Sequence, residues 1–475
     1  MAIKTVEIWA DSFHEGVWCC DNICSYLRPR GYICTLSFAN GFIPMYQVFE
    51  SGNQIAEFYV YGSYKIWTPM PQTIKDLIEW GKPDFIAYDP TNDEIWFAVE
   101  ETAAVPTGNQ AMQRCERQYG SARAQIPYWY FVSEFGEHVD GGVRRDNIWP
   151  TIAAMKLTLT KKIPSIVLHY SDIDSVEDYN SGKGLALLFD TLSRIVDNKI
   201  HSKSKFDGIK DLIAQQYSLM IEFLLSQWDN VIEFLPTEQL LRDPNTPTAL
   251  AEAALNLPSS ANNSIKEKLL VWPLTSGVPV DILQAQHGKD LIKYDALSEK
   301  LEADVTGHKC YILSNNAGSG KPPKYEKIKE WVGQQQRFSS RRHITTAKNI
   351  VYLYDHWADL RKSIESAYPR LIGKFSGKID DDAPVFLYLS NSVKPGRLFG
   401  DPFTGQLSAF STAFGKFDKT QRKVIMYFPH QVYTQAFTNN WTIEKNKGTT
   451  LFSELTDYII FNAGVAVSLS KGEIL

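Results

Sequence analysis

The stretch that most limits what this chain can fold into is residues 82–102, KPDFIAYDPTNDEIWFAVEET. Two apolar runs flank the polar turn DPTND at 89–93, the pattern of a β-hairpin. Runs this apolar belong in a core, where an acid needs a partner or an ion. Yet the first run opens on Asp84 and the second closes on Glu100 and Glu101. A hairpin folded about Asn92 sets residue 84 opposite residue 100. Directly opposed antiparallel residues have Cβ atoms about 5 Å apart. Two carboxylates at that separation repel and raise one pKa, unless a hard divalent cation sits between them. The pattern therefore predicts a cation gripped at the open end of a buried hairpin. The plainer reading makes Asp84 a strand cap after Pro83 and leaves Glu100 and Glu101 solvated where the strand leaves the sheet.

The surrounding periodicities predict layers to bury that hairpin. Residues 11–27 read as a helix capped by Asp11 or Ser12 and stopped before Pro29. Strands follow near 32–38 and 56–61, then a short helix at 72–80 ending at Gly81. After the hairpin come a helix over 109–123 and a strand at 127–133. A second alternation places WPTIAAMKLTLTK and GLALLFDTLSRIVDNK as helices around the strand PSIVLHY. Residues 1–200 thus form an α/β unit, a mixed sheet flanked by helices. Residues 201–264 read as a helical connector, and residues 265–475 as a second α/β or α+β domain with strands such as APVFLYLS and KVIMYFP. A length of 475 residues also argues for more than one core.

A net charge of -5 carries no global basic signature, so any nucleic-acid footprint must be local. One candidate is the segment 321–343, with seven Lys or Arg against two Glu. It offers Lys327, Arg337, Arg341 and Arg342 for phosphates and Gln334 and Gln335 for base edges, with Tyr325, Trp331 and Phe338 interleaved. A solvated amphipathic helix with Trp331 turned inward is the plainer account. The amino-terminal residues lack a basic head followed by an apolar run. The apolar run YIIFNAGVAVSLS is interrupted by Asn462 and falls short of the ~20 residues that span a bilayer. A cytoplasmic protein with no membrane contact is expected. Six cysteines are too few for a disulfide framework. The group Cys19, Cys20 and Cys24, with His14 upstream, lacks zinc-ligand spacing and fits the buried face of a helix better. NNAGSGKPP fails as a phosphate loop, and KIDDDAP lacks calcium-loop spacing.

PDF on one strand, a second strand ending VEET, and then a helix bearing Gln and Arg together resemble the PD-(D/E)XK nuclease superfamily, which includes many restriction endonucleases. The resemblance covers about the first 135 residues. It implies that Asp84 is the motif aspartate, Glu100 the first acid of the second half-motif, and Glu101 its variable place. Thr102 stands where the family usually has lysine; Lys82 is a candidate substitute. The implied reaction is hydrolysis of a DNA phosphodiester assisted by Mg²⁺, which Asp84 and Glu100 hold. Glu57, an acid inside the apolar run AEFYV, is a candidate outer ligand. Gln110, Gln113, Arg114 and Arg117 on the following helix would contact neighbouring phosphates, or else form a solvated face. By analogy the resemblance implies double-stranded DNA as partner and a homodimer. Three alternatives stand beside this: a DNA-binding protein on a degenerate nuclease fold, a nuclease acting on RNA or single strands, and an enzyme of other chemistry within residues 265–475.

Overall fold

The computed structural model describes residues 3–64, 69–102, 114–133, 149–170, 183–228, 238–258 and 263–271, and beyond them the strands of a second sheet with a few residues beside them. The first sheet has eight strands: β1 (Lys4–Ala10), β2 (Tyr32–Ala39), β3 (Ile43–Glu50), β4 (Asn53–Tyr61), β5 (Phe85–Asp89), β6 (Glu94–Thr102), β7 (Tyr128–Ser133) and β8 (Ser165–Tyr170). Their order is β2-β3-β4-β1-β5-β6-β7-β8. The sequence reading assigns no element to Lys4–Ala10 or Ile43–Glu50. Lys4–Ala10 is nevertheless central, pairing parallel with β4 and antiparallel with β5. The sheet is mixed, since β6, β7 and β8 also run parallel. All five residues of β5 are buried, as expected of a strand covered on both faces.

Helices supply that cover. α1 (Phe13–Leu27) is capped by Ser12, whose side chain accepts the Glu15 N–H at 3.2 Å. It lies close on the sheet: a Cβ on Gly16 would sit 2.5 Å from Val60 Cγ1 and 3.1 Å from Ala10 Cβ. α2 (Gln72–Ile78), α3 (Cys115–Arg123), α4 (Trp149–Lys161) and α5 (Lys183–Ile200) follow. α1 and α5 share one face, with Trp18 edge-on to Phe189 at 5.3 Å between ring centroids. α3 packs beside the chain that leaves α2, with Trp80 against Tyr119 and over Gly120.

The helices of the expected connector dock on this same sheet. On α6 (Lys210–Trp228), Gln216 accepts the Trp129 indole N–H at 2.6 Å and donates to Thr191 on α5. The next residue, Tyr217, meets Thr158 on α4 at 2.6 Å. One helix thus joins layers on both faces and covers the β8 margin. The opposite margin, β2, leaves Ile33, Leu36 and Phe38 exposed. The second sheet runs from Val278–Pro279 to Glu473–Ile474 in eight strands stacked in chain order. Its pairs are antiparallel except around Ile425–Val432, which runs parallel to both neighbours. No described helix is long and apolar enough to cross a membrane.

Candidate active site

Two antiparallel registers bring acids to one edge of the first sheet. Ala10 pairs with Phe85, and Phe85 with Val99. One step beyond these last pairs lie Asp11, Asp84 and Glu100 side by side, and the Asp11 N–H donates to the Asp84 carbonyl at 3.1 Å. The Asp84–Glu100 alignment depends on a bulge. At the turn Asp89 pairs with Glu94; past the register shift between Ala87 and Tyr88, Ala87 pairs with Phe97. Without that extra residue on β6, residue 84 would face residue 99 and every β6 acid would change sides.

The acids do not converge on one point. Successive strand residues face opposite sides of a sheet, and β6 uses both. Glu100 turns towards α3, where Arg114 Nε donates to its Oε1 at 2.9 Å and Arg117 donates to the same oxygen. Glu101 lies on the α1 side, within the field of Glu15. The Asp84 carboxylate swings over the strand end, and its Oδ2 accepts the Glu101 N–H at 2.6 Å. There it joins Asp11 and Glu15, and one ligand oxygen from each lies within 4.8 Å of the other two.

The electrostatics are those of crowded, buried acids. Burial pushes Asp84 up to about 9, with Glu100 adding to the effect and the Glu101 N–H and Arg117 opposing it. Glu101 is pushed up to about 8 by burial, then by Glu15 and Glu100. Burial also raises Glu100, against the pull of Arg117 and then Arg114. Two buried oxygens, Glu15 Oε2 and Glu100 Oε2, have no hydrogen-bond partner. An unpaired buried carboxylate oxygen is costly. For Glu15, a hard cation that accepts several carboxylates while keeping waters would answer that cost, and the donor set of Asp11, Glu15 and Asp84 is of the kind that suits Mg²⁺; Glu100, held by two arginines, lies outside that set.

The surrounding chain holds this arrangement. Tyr64 donates its hydroxyl to the Pro83 carbonyl, pinning the residue before Asp84. Gly81 adopts φ +136°, and a Cβ there would lie 2.4 Å from Arg117 Cγ. Only glycine lets Arg117 pass beneath this segment to reach Glu100.

Of the residues expected at the site, Asp84, Glu100 and Glu101 lie at this edge, and Thr102 is the last residue of β6. Arg114 and Arg117 are there too, engaged with Glu100. Lys82 is exposed, with its Nζ 5.7 Å over the Tyr64 ring. Glu57 requires a correction. It pairs with Thr5, five residues down β1 from Ala10, or about 16 Å from the acid edge at the usual rise per residue. Its carboxylate accepts from Gln54 and Tyr59, so it is not an outer ligand of this cluster. Gln110, Gln113, Lys327, Gln334, Gln335, Arg337, Arg341 and Arg342 lie outside the described residues. The sequence reading did not single out Asp11 and Glu15 as members of this cluster. Their one signal was an acid on each side of a capping serine, in DSFHE, and capping alone accounts for that pattern.

Comparison of the chain with protein-family models, with curated proteins and with solved structures gives no match.

Proposed function

We propose that this edge is the hydrolytic site of a Mg²⁺-dependent endonuclease of the PD-(D/E)XK kind, acting on DNA phosphodiesters. One observation carries the reading: three carboxylates, two from the β1–α1 junction and one from the residue before β5, approach within 4.8 Å at a sheet edge, and one oxygen of Glu15 is buried without a partner. Asp11, Glu15 and Asp84 are the residues that would hold the ion. When bound, Mg²⁺ supplies charge to polarise a phosphate and favour ionisation of a water. The chain's own residues orient and balance that site. The Glu101 N–H fixes one Asp84 oxygen, and the Ser12 cap sets Glu15 in the first turn of α1. Thr102 cannot supply the charge that the family's lysine carries. Arg117 is the cation whose field reaches Asp84, and in this reading it serves in that place.

A second reading, a nucleic-acid binder on this fold that does not cleave, is favoured by a different observation. Glu100, which the resemblance makes a metal ligand, is instead committed to two arginines. Incubating mixed DNA with Mg²⁺ and either the wild type or Asp84→Ala separates the two. Discrete fragments from the wild type and intact DNA from the variant support the nuclease. Retarded but intact DNA with both proteins supports the binder. Running single strands and RNA in parallel identifies the substrate class.

A further inference from the structure

We propose that the open margin of the first sheet is a self-association surface, where β2 pairs antiparallel with β2 of a second copy of this chain across a two-fold axis. Nothing in this depends on the hydrolytic site. The two margins of the sheet are built differently. At β8, helix α6 closes the edge, with Tyr217 reaching Thr158 on α4. At β2, the described residues supply a neighbour on one side, β3, and none on the other.

An open strand edge pairs with other strands unless something prevents it, and proteins use charges, proline, bulges or short strands for that purpose. β2 has none of these. Tyr32–Ala39 spans eight residues without proline. It pairs with β3 in continuous register, with no bulge. Between Arg30 and Glu50 no residue is charged. Apolar side chains stand exposed on both faces of this margin, Ile33 (60%) on one and Leu36 (47%) and Phe38 (64%) on the other.

The same features select a second copy as the occupant. In a two-fold contact each residue near the axis meets its own surface, so a charge there would face its like. A hairpin free of charge escapes that repulsion, and it offers no cation to hold a phosphate backbone. An axis at Ser37 sets Leu36 of each copy opposite Phe38 of the partner subunit. Both lie on the α1 side, where Tyr46, paired with Leu36, donates to the Val17 carbonyl at 3.2 Å. The turn after Ala39 lies at the same end of the sheet as Ala10. Antiparallel pairing therefore sends the two acid edges to opposite ends of the joined sheet.

The test follows the full-length wild type by sedimentation velocity over a range of concentrations, in EDTA so that no metal contributes. A monomer–dimer equilibrium is the expected result. Leu36→Lys combined with Phe38→Lys, both at exposed positions, should weaken the dimer by about 10²-fold or more, the scale of losing apolar anchors at an interface centre. Ser37→Cys should give a disulfide-linked dimer on mild oxidation that the wild type does not give. Directly opposed antiparallel residues have Cα atoms about 4.5–5.5 Å apart, within disulfide reach. A wild type that is monomeric at every concentration overturns the proposal, as does a dimer that both lysines leave intact. So does a monomeric wild type whose retardation of DNA is lost in the double variant, which gives the surface to nucleic acid instead. The decisive measurement is made on the wild type, so it does not depend on either variant folding.

Discussion

The two ends of the β5–β6 hairpin are both rich in acids and behave oppositely. At the turn every acid has partners. Asp89 is buried but ion-paired with Lys4 at 2.7 Å, and it accepts from the Thr91 and Asn92 backbones and the Asn92 amide. Asp93 accepts from Thr73 and Tyr88. Although burial pushes Asp89 up, these partners more than offset it and hold it below the ordinary value. At the open end Asp11, Glu15 and Asp84 face one another, while Glu100 is held by two arginines on the other face. Asp84 and Glu101 are pushed up, and two carboxylate oxygens have no partner. Donors surround the acids at the turn and are fewer at the open end, where the proposed ion would serve in their place. In the proposed reading the satisfied acids serve the fold, and the unsatisfied ones mark the ion site.

The largest effect that could break this contrast is on activity. Asp84→Asn should lower cleavage by about 10²-fold or more, the usual cost of removing one charged group from such a site. Asp89→Asn should leave cleavage per folded molecule unchanged. Equal losses in plasmid-nicking assays would erase the distinction between the ends.

The next effect is on stability, with the roles reversed. Asp89→Ala strands Lys4 and frees the turn's N–H groups, and should cost about 2–4 kcal/mol in urea unfolding. Asp84→Asn removes the cost of protonating a buried acid on folding and should be neutral or stabilising without Mg²⁺ at neutral pH. A third measurement adds the ion. Mg²⁺ at a hundred times its dissociation constant should stabilise the wild type by about 2.7 kcal/mol. Asp84→Asn should show little of this gain, and Asp89→Asn should keep it.

The remaining effect is the pH slope, whose sign differs between the ends. Asp84 rises from an ordinary 3.8 to about 9 on folding, so the metal-free native state holds a proton that the unfolded chain has lost. Its contribution is fully present below the unfolded value and drains away as pH climbs from about 4 to about 9. Glu101 acts in the same direction up to about 8. Asp89 is lowered, so its contribution is present above the ordinary value and is lost as acid protonates it in the folded state. Unfolding curves at pH 5, 7 and 9 should fall for the wild type and flatten in Asp84→Asn. An unchanged slope in that variant would show that Asp84 does not carry the proton.

Much of this architecture was legible in the chain. The helix at 13–27, the strand at 128–133 and the helices at 149–161 and 183–200 follow from periodicity and punctuation, which are local properties. Lys4–Ala10 was not legible in that way: KTVEIWA is short, carries Glu7, and shows its centrality only through its two neighbours. The pairing of 84 with 100 came out right from a symmetric fold about Asn92, although the real turn is offset and a bulge restores the register.

By itself the sequence determined that acids crowd one end of a buried hairpin, because alternation and turn residues act over a few positions. Which acids meet was decided only by the tertiary structure. Strand order carries Asp11 to Asp84, the α1 cap brings Glu15 alongside, and the alternation of faces on β6 gives Glu100 to the arginines of α3. Those neighbours are set by non-local pairing across the sheet, which no short window of residues encodes.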